Sequence, residues 1–134
     1  MTLEKLYAPV NMENKLKSLL LELAELEDFN PYKKNIITDE PPGGGNGKAY
    51  QEWYSEKKDG LERKIESLRK QIAEKTVERD VFIDEAPSPE REIIRYRIVN
   101  NLRWEEIGEL LSMERSTVNK RFWGYMRENL ENFT

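Results

Sequence analysis

Between Arg115 and Arg127 the chain carries Arg115, Lys120, Arg121 and Arg127 and not one acid. The stretch opens Arg115-Ser116-Thr117-Val118-Asn119-Lys120-Arg121. These side chains suit a polyanion whose sequence is read. Arginine can grip guanine, and asparagine adenine, with two hydrogen bonds each. Lys120, Arg121 and Arg127 suit phosphates, which position a protein without specifying sequence. Ser116 and Thr117 add short hydroxyls at the same end. The chain as a whole is acidic: its net charge is −4, so with +4 between Arg115 and Arg127 the remainder carries −8. Any affinity for a polyanion is therefore concentrated in this one segment.

Such residues must be presented by an element, and the periodicity around them is helical. Val118, Phe122 and Tyr125 or Met126 form an apolar stripe, which predicts a helix from Arg115 to Glu128. Trp104, Ile107, Leu110 and Leu111 predict a shorter helix over 104–111, with Ser112-Met113-Glu114 as the turn between the two. Ile93, Ile94 and Ile98 predict a bracing helix over 89–99, and Asn100-Asn101 is a turn signal. Two short helices joined by a tight turn and braced by a third are a helix-turn-helix, whose second helix meets base edges with its N-terminal residues. Gly108 stands where the helices must approach closely, and Val118 is expected to plug their angle. Phe122 is expected in the core, and Trp123 and Trp53 are each expected to be a packing or interface residue rather than a platform on which bases stack.

Upstream, Met12, Leu16, Leu19, Leu23 and Leu26 alternate at steps of four and three, with Leu20 widening the stripe. They predict a first helix capped by Asn11 and stopped at Asn30-Pro31. Residues 38–47 read TDEPPGGGNG, a linker. The Gly-rich run before Lys48 misses the phosphate-loop pattern, because Ala49 follows the lysine and no apolar strand precedes it. From Lys48 to Glu85, Tyr50, Tyr54, Leu61, Ile65, Leu68 and Ile72 keep heptad spacing. The seam meets Lys75 and Arg79 and shifts toward Val77, Val81 and Phe82, while Gly60 marks a candidate bend. A helix this long must lie along the first segment, a second copy of the chain, or both. A solvated spacer and a dimerisation coiled coil both fit, and the second is favoured because one small helix-turn-helix binds DNA weakly. Ala86-Pro87-Ser88-Pro89 breaks this helix, with Ser88 placed to cap the next and Pro89 at its first position.

Composition removes most catalytic chemistry. The 134 residues include no Cys and no His, so disulfides, thiolate nucleophiles, Cys/His metal sites and imidazole catalysis are excluded. Glu105 and Glu106 are adjacent on a helix and point about 100° apart, which does not make an acid-base pair. Asp80 and Asp84, one turn apart, are expected to face solvent rather than a metal. Catalytic, cofactor and metal residues are accordingly expected to be none. No apolar run of membrane-spanning length occurs, and Met1 to Val10 do not resemble a secretion signal, so a cytoplasmic protein is expected.

LRWEEIGELLSMERSTVNKR, preceded by IIRYRIV, resembles the fourth region of bacterial sigma factors. The positions that carry the resemblance are Arg97, Leu102, Trp104, Glu105, Glu106, Ile107, Leu111, Thr117, Val118 and Arg121. Ser112 stands where that family turns with Gly, Gly108 where it has Ala, and Glu114 where it caps with Ser. The wider order of elements resembles small phage- and prophage-encoded regulators of Gram-positive bacteria, related to late-gene transcription activators. The resemblance implies a transcriptional regulator that binds double-stranded DNA, and it raises RNA polymerase as a further partner. On this reading Arg115, Ser116, Thr117, Asn119, Lys120, Arg121 and Arg127 contact DNA. The expected fold is all-α: a helical hairpin over 1–85 and a helix-turn-helix domain over 86–134, self-associating through the 50–72 helix. The alternatives are a small terminase subunit, which forms rings, and a helical oligomerisation protein without affinity for DNA.

Overall fold

The chain is all-α. In a computed structural model that describes residues 1–31, 46–131 and 133, the helices are α1 (Leu3–Asp28), α2 (Asn46–Asp84), α3 (Glu90–Ile94), α4 (Trp104–Leu111) and α5 (Arg115–Asn129), and no strand occurs among the described residues. A π-helical turn, Arg95–Val99, continues α3 and closes with Asn100 N–H donating to the Arg95 carbonyl at 3.2 Å. The expected linker over 38–47 lies outside the described residues, apart from Asn46 and Gly47, which open α2.

Two compact units are formed, one from residues 1–13 and 71–134 and the other from 14–70. The boundary expected at residue 85 thus falls inside the first unit. Its core joins Ile93, Ile94 and Ile98 to Ile107, Val118, Phe122 and Met126, and it also takes in Ile83 and Leu6. Phe122 sits edge-on between Trp104 and Trp123, at centroid distances of 5.1 and 5.0 Å. Leu6 lies upstream of the start predicted for the first helix. The first helix begins eight residues before Asn11, which is an interior residue and not a cap. Pro9 lies inside α1, and it is among the most deeply buried side chains. A proline there removes one helical hydrogen bond, and packing of Leu6 and Pro9 offsets that loss. Chain ends meet in this unit: Glu131 N–H donates to the Met1 carbonyl at 2.9 Å, and the Met1 ammonium lies 3.4 Å from the Glu131 carboxylate.

Arg97 braces the same unit. Its guanidinium lies over the Trp104 ring at 4.2 Å and donates to the Leu102 carbonyl at 2.9 Å. Ser88 does not cap α3; its hydroxyl instead donates to Glu92 Oε1 at 3.2 Å. Of the stripe expected after Ile72, only Phe82 reaches the core, whereas Val77 and Val81 are exposed. Arg79 is buried and paired with Asp80 at 3.2 Å.

In the second unit, Tyr54 and Leu61 of α2 pack with Leu26, Leu19 and Leu23 of α1. Ile65 and Leu68 are buried as well, whereas Tyr50 is exposed; Ile72, which belongs to the first unit, is half-buried. The seam is therefore occupied by the chain's own first helix. Lys58 lies 3.9 Å from both Glu27 and Glu62, at the outer limit of an ion pair. Gly60 marks no break, since α2 continues through it, and a Cβ built there meets nothing within 4 Å. Gly60→Ala should therefore raise the unfolding free energy by about 1 kcal/mol, measured as a higher urea midpoint at unchanged slope.

Candidate nucleic-acid interface

The candidate interface is built on α4, the turn after it, and α5. Glu106, at the third position of α4, closes its N-terminus: its carboxylate accepts the Arg103 backbone N–H at 3.1 Å and the Arg103 Nε at 2.9 Å. These bonds, first of all the one from the Arg103 side chain, hold the Glu106 carboxyl below the usual carboxylate range. This is half of a capping box, legible as a glutamate three residues after the cap. Ile107 turns inward, while Glu105, Glu109 and Leu110 face water.

The turn explains Gly108. Met113 N–H donates to the Gly108 carbonyl at 2.9 Å and Ser112 N–H to the Glu109 carbonyl at 3.4 Å, a Schellman closure with Ser112 left-handed at φ 54° and ψ 44°. The chain folds back so tightly that a Cβ on Gly108 would lie 2.6 Å from the Met113 carbonyl oxygen. The constraint is thus the turn's own backbone. Glu114, which stands where the resembled family caps with Ser, is extended at the start of α5, and its side chain makes no capping hydrogen bond.

Rotation of α5 is set by Val118, Phe122 and Met126, all fully buried. At 3.6 residues per turn, Ser116, Lys120 and Arg127 then lie within about 40° of one another on the opposite face. All three are exposed. Lys120 and Arg127 form no ion pair among the described residues, and they stand about 10 Å apart along the axis. Thr117 and Asn119 flank this stripe and are half-buried.

Arg115 and Arg121 are exposed but engaged. Arg115 donates to Glu105 Oε1 of α4 at 3.0 Å, and Arg121 to Glu90 Oε1 of α3 at 3.0 Å. The flank of α5 toward α3 forms an open groove that also carries Glu128, so acids border the basic stripe on that side. The seven candidate residues therefore divide into a three-residue exposed stripe, two half-buried residues flanking it, Thr117 and Asn119, and two ion-paired arginines, rather than seven equivalent positions. Trp123 packs between Phe122 and Phe133, whose ring it stacks on at 6.0 Å and 25°, as expected of a packing residue.

Asp80 and Asp84 pair with Arg79 and Arg95, and no cluster of three acids able to hold a metal occurs among the described residues. Among the same residues, no helix is long and apolar enough to cross a membrane. The turn yields a paired expectation. Ser112→Gly should stabilise by about 1 kcal/mol, because glycine occupies the left-handed region without steric penalty. Gly108→Ala should destabilise by about 1–3 kcal/mol through overpacking. Thermal unfolding of both variants checks the opposite signs.

No protein-family model, curated protein or solved structure matches the chain.

Proposed function

We propose that this chain is a DNA-binding transcriptional regulator of phage or prophage type, in which α5 enters the major groove of duplex DNA. The observation that carries the reading is the outward stripe Ser116–Lys120–Arg127, acid-free and opposite the buried stripe, on the second of two helices joined by a tight turn. Lys120 and Arg127 hold phosphates, while Asn119, Thr117 and Ser116 lie at the end of α5 that meets base edges. Arg115 and Arg121 join the interface by exchanging Glu105 and Glu90 for DNA. Each exchange trades one charge-assisted bond for another, so their net contribution is smaller than that of an unpaired cation. Two copies of the unit supply the phosphate contacts that one lacks.

The same two ion pairs favour a second reading, in which α3, α4 and α5 form a structural bundle without affinity for nucleic acid. Gel-shift titrations over a range of salt separate the two. On the DNA-binding reading, Lys120→Ala and Arg127→Ala weaken binding to all duplexes, and each lowers the salt slope by about 1. Asn119→Ala relaxes sequence preference, at a cost of about 1–3 kcal/mol at its base. Glu105→Gln tightens binding, because it releases Arg115. Absence of binding even at low salt, or binding untouched by the Lys120→Ala, Arg127→Ala double variant, rejects the interface.

A further inference from the structure

Among the described residues of 14–70, three aromatic side chains stand in water: Phe29 is 67%, Trp53 48% and Tyr50 42% exposed. Singly such residues are unremarkable in a soluble protein, but these are joined. The Tyr50 and Trp53 rings stack at 5.5 Å, and the Tyr50 hydroxyl donates to the Phe29 carbonyl at 3.1 Å, tying the start of α2 to the end of α1. Phe29 and Trp53 flank one shallow groove, whose floor is Leu26.

The rim of this groove is divided by charge. On the α1 side stand Glu22 and Glu25, both exposed; on the α2 side stands Lys57, its ammonium 5.3 Å from the Trp53 ring centroid. A patch with acids along one edge and a base along the other is complementary to itself when turned about a two-fold axis. The α1 edge of one copy then meets the α2 edge of the other, with Lys57 against Glu22 and Glu25, and Phe29 against Trp53. Aromatic residues at the centre and charges at the rim are the composition of a protein interface. The occupant that fits is a second copy of this chain, because its charges are the mirror requirement of the patch.

We infer that two copies of the chain join through this aromatic groove about a two-fold axis. Within the 50–72 helix, Tyr54, Leu61, Ile65 and Leu68 are already buried within one chain, which leaves the Tyr50, Trp53 and Lys57 face for the second copy. This inference deepens the dimer part of the proposed function by naming its surface, and its test contains no DNA, so the two fail separately.

The test is the mass of the full chain in solution by sedimentation velocity and light scattering across a wide concentration range. Wild type should reach twice the chain mass and stop there. Trp53→Ser should raise the dimer dissociation constant at least tenfold with an unchanged far-UV circular dichroism spectrum, because Trp53 is exposed and lies outside the buried cluster of Leu26, Tyr54 and Leu61. Lys57→Glu, and separately the Glu22→Lys, Glu25→Lys pair, should each be monomeric through like-charge contacts. An equimolar mixture of those two proteins should restore the dimer, since every rim contact is then between opposite charges. A monomeric wild type, a mass growing beyond the dimer, a dimer indifferent to Trp53→Ser or Lys57→Glu, or a mixture that stays monomeric would each overturn the inference.

Discussion

The rotation of α5 about its own axis is the constraint on which the rest depends. Val118, Phe122 and Met126 leave no choice in it: all three are fully buried, and Phe122 is held edge-on by Trp104 and Trp123. A helix clamped along one stripe must present the opposite stripe to water, whatever residues stand there. The turn before it fixes where α5 begins. Gly108 admits the Met113 carbonyl at a distance no side chain would allow, so the direction of α5 follows from a hydrogen atom at position 108. Ser112, strained in the left-handed region, holds the same closure at some cost.

The electrostatics of the interface differ from its composition. An acid-free segment on an acidic chain reads as uniformly basic, yet the fold brings acids to it from outside. Glu90 comes from α3 and Glu105 from α4, and they engage two of the four cations. What remains is a narrow stripe with the spacing of Lys120 and Arg127. Such an arrangement limits nonspecific attraction to polyanions, which scales with the number of unneutralised cations.

Much of this was legible in the residues. The bounds of α4 are those its apolar spacing predicts, because Trp104, Ile107 and Leu111 recur with a helical period and a turn follows at once. The start of α5 was legible for the same reason, as was the exposure of Ser116, Lys120 and Arg127 once the buried stripe was identified. The role of Leu6 was not. Leu3, Leu6, Tyr7 and Val10 do repeat at helical spacing, but Pro9 and Asn11 carry local signals for a start, and tertiary burial outweighed them. The pairing of Arg115 with Glu105 joins residues ten apart across a turn, and Arg121 with Glu90 thirty-one apart. Periodicity carries no information at such separations. The heptad seam was visible in α2, but spacing alone does not state which helix covers it, and here α1 of the same chain does.

Under the proposed function, the face of α5 opposite its buried stripe meets duplex DNA. The most direct measurement is a titration of the isotopically labelled chain with a mixed-sequence duplex, following backbone amide resonances. Salt-dependent shifts should concentrate at Ser116, Thr117, Asn119, Lys120 and Arg127, with the amides of residues 14–28 and 50–70 unmoved. Unchanged resonances along α5, or shifts centred on another surface, would contradict it.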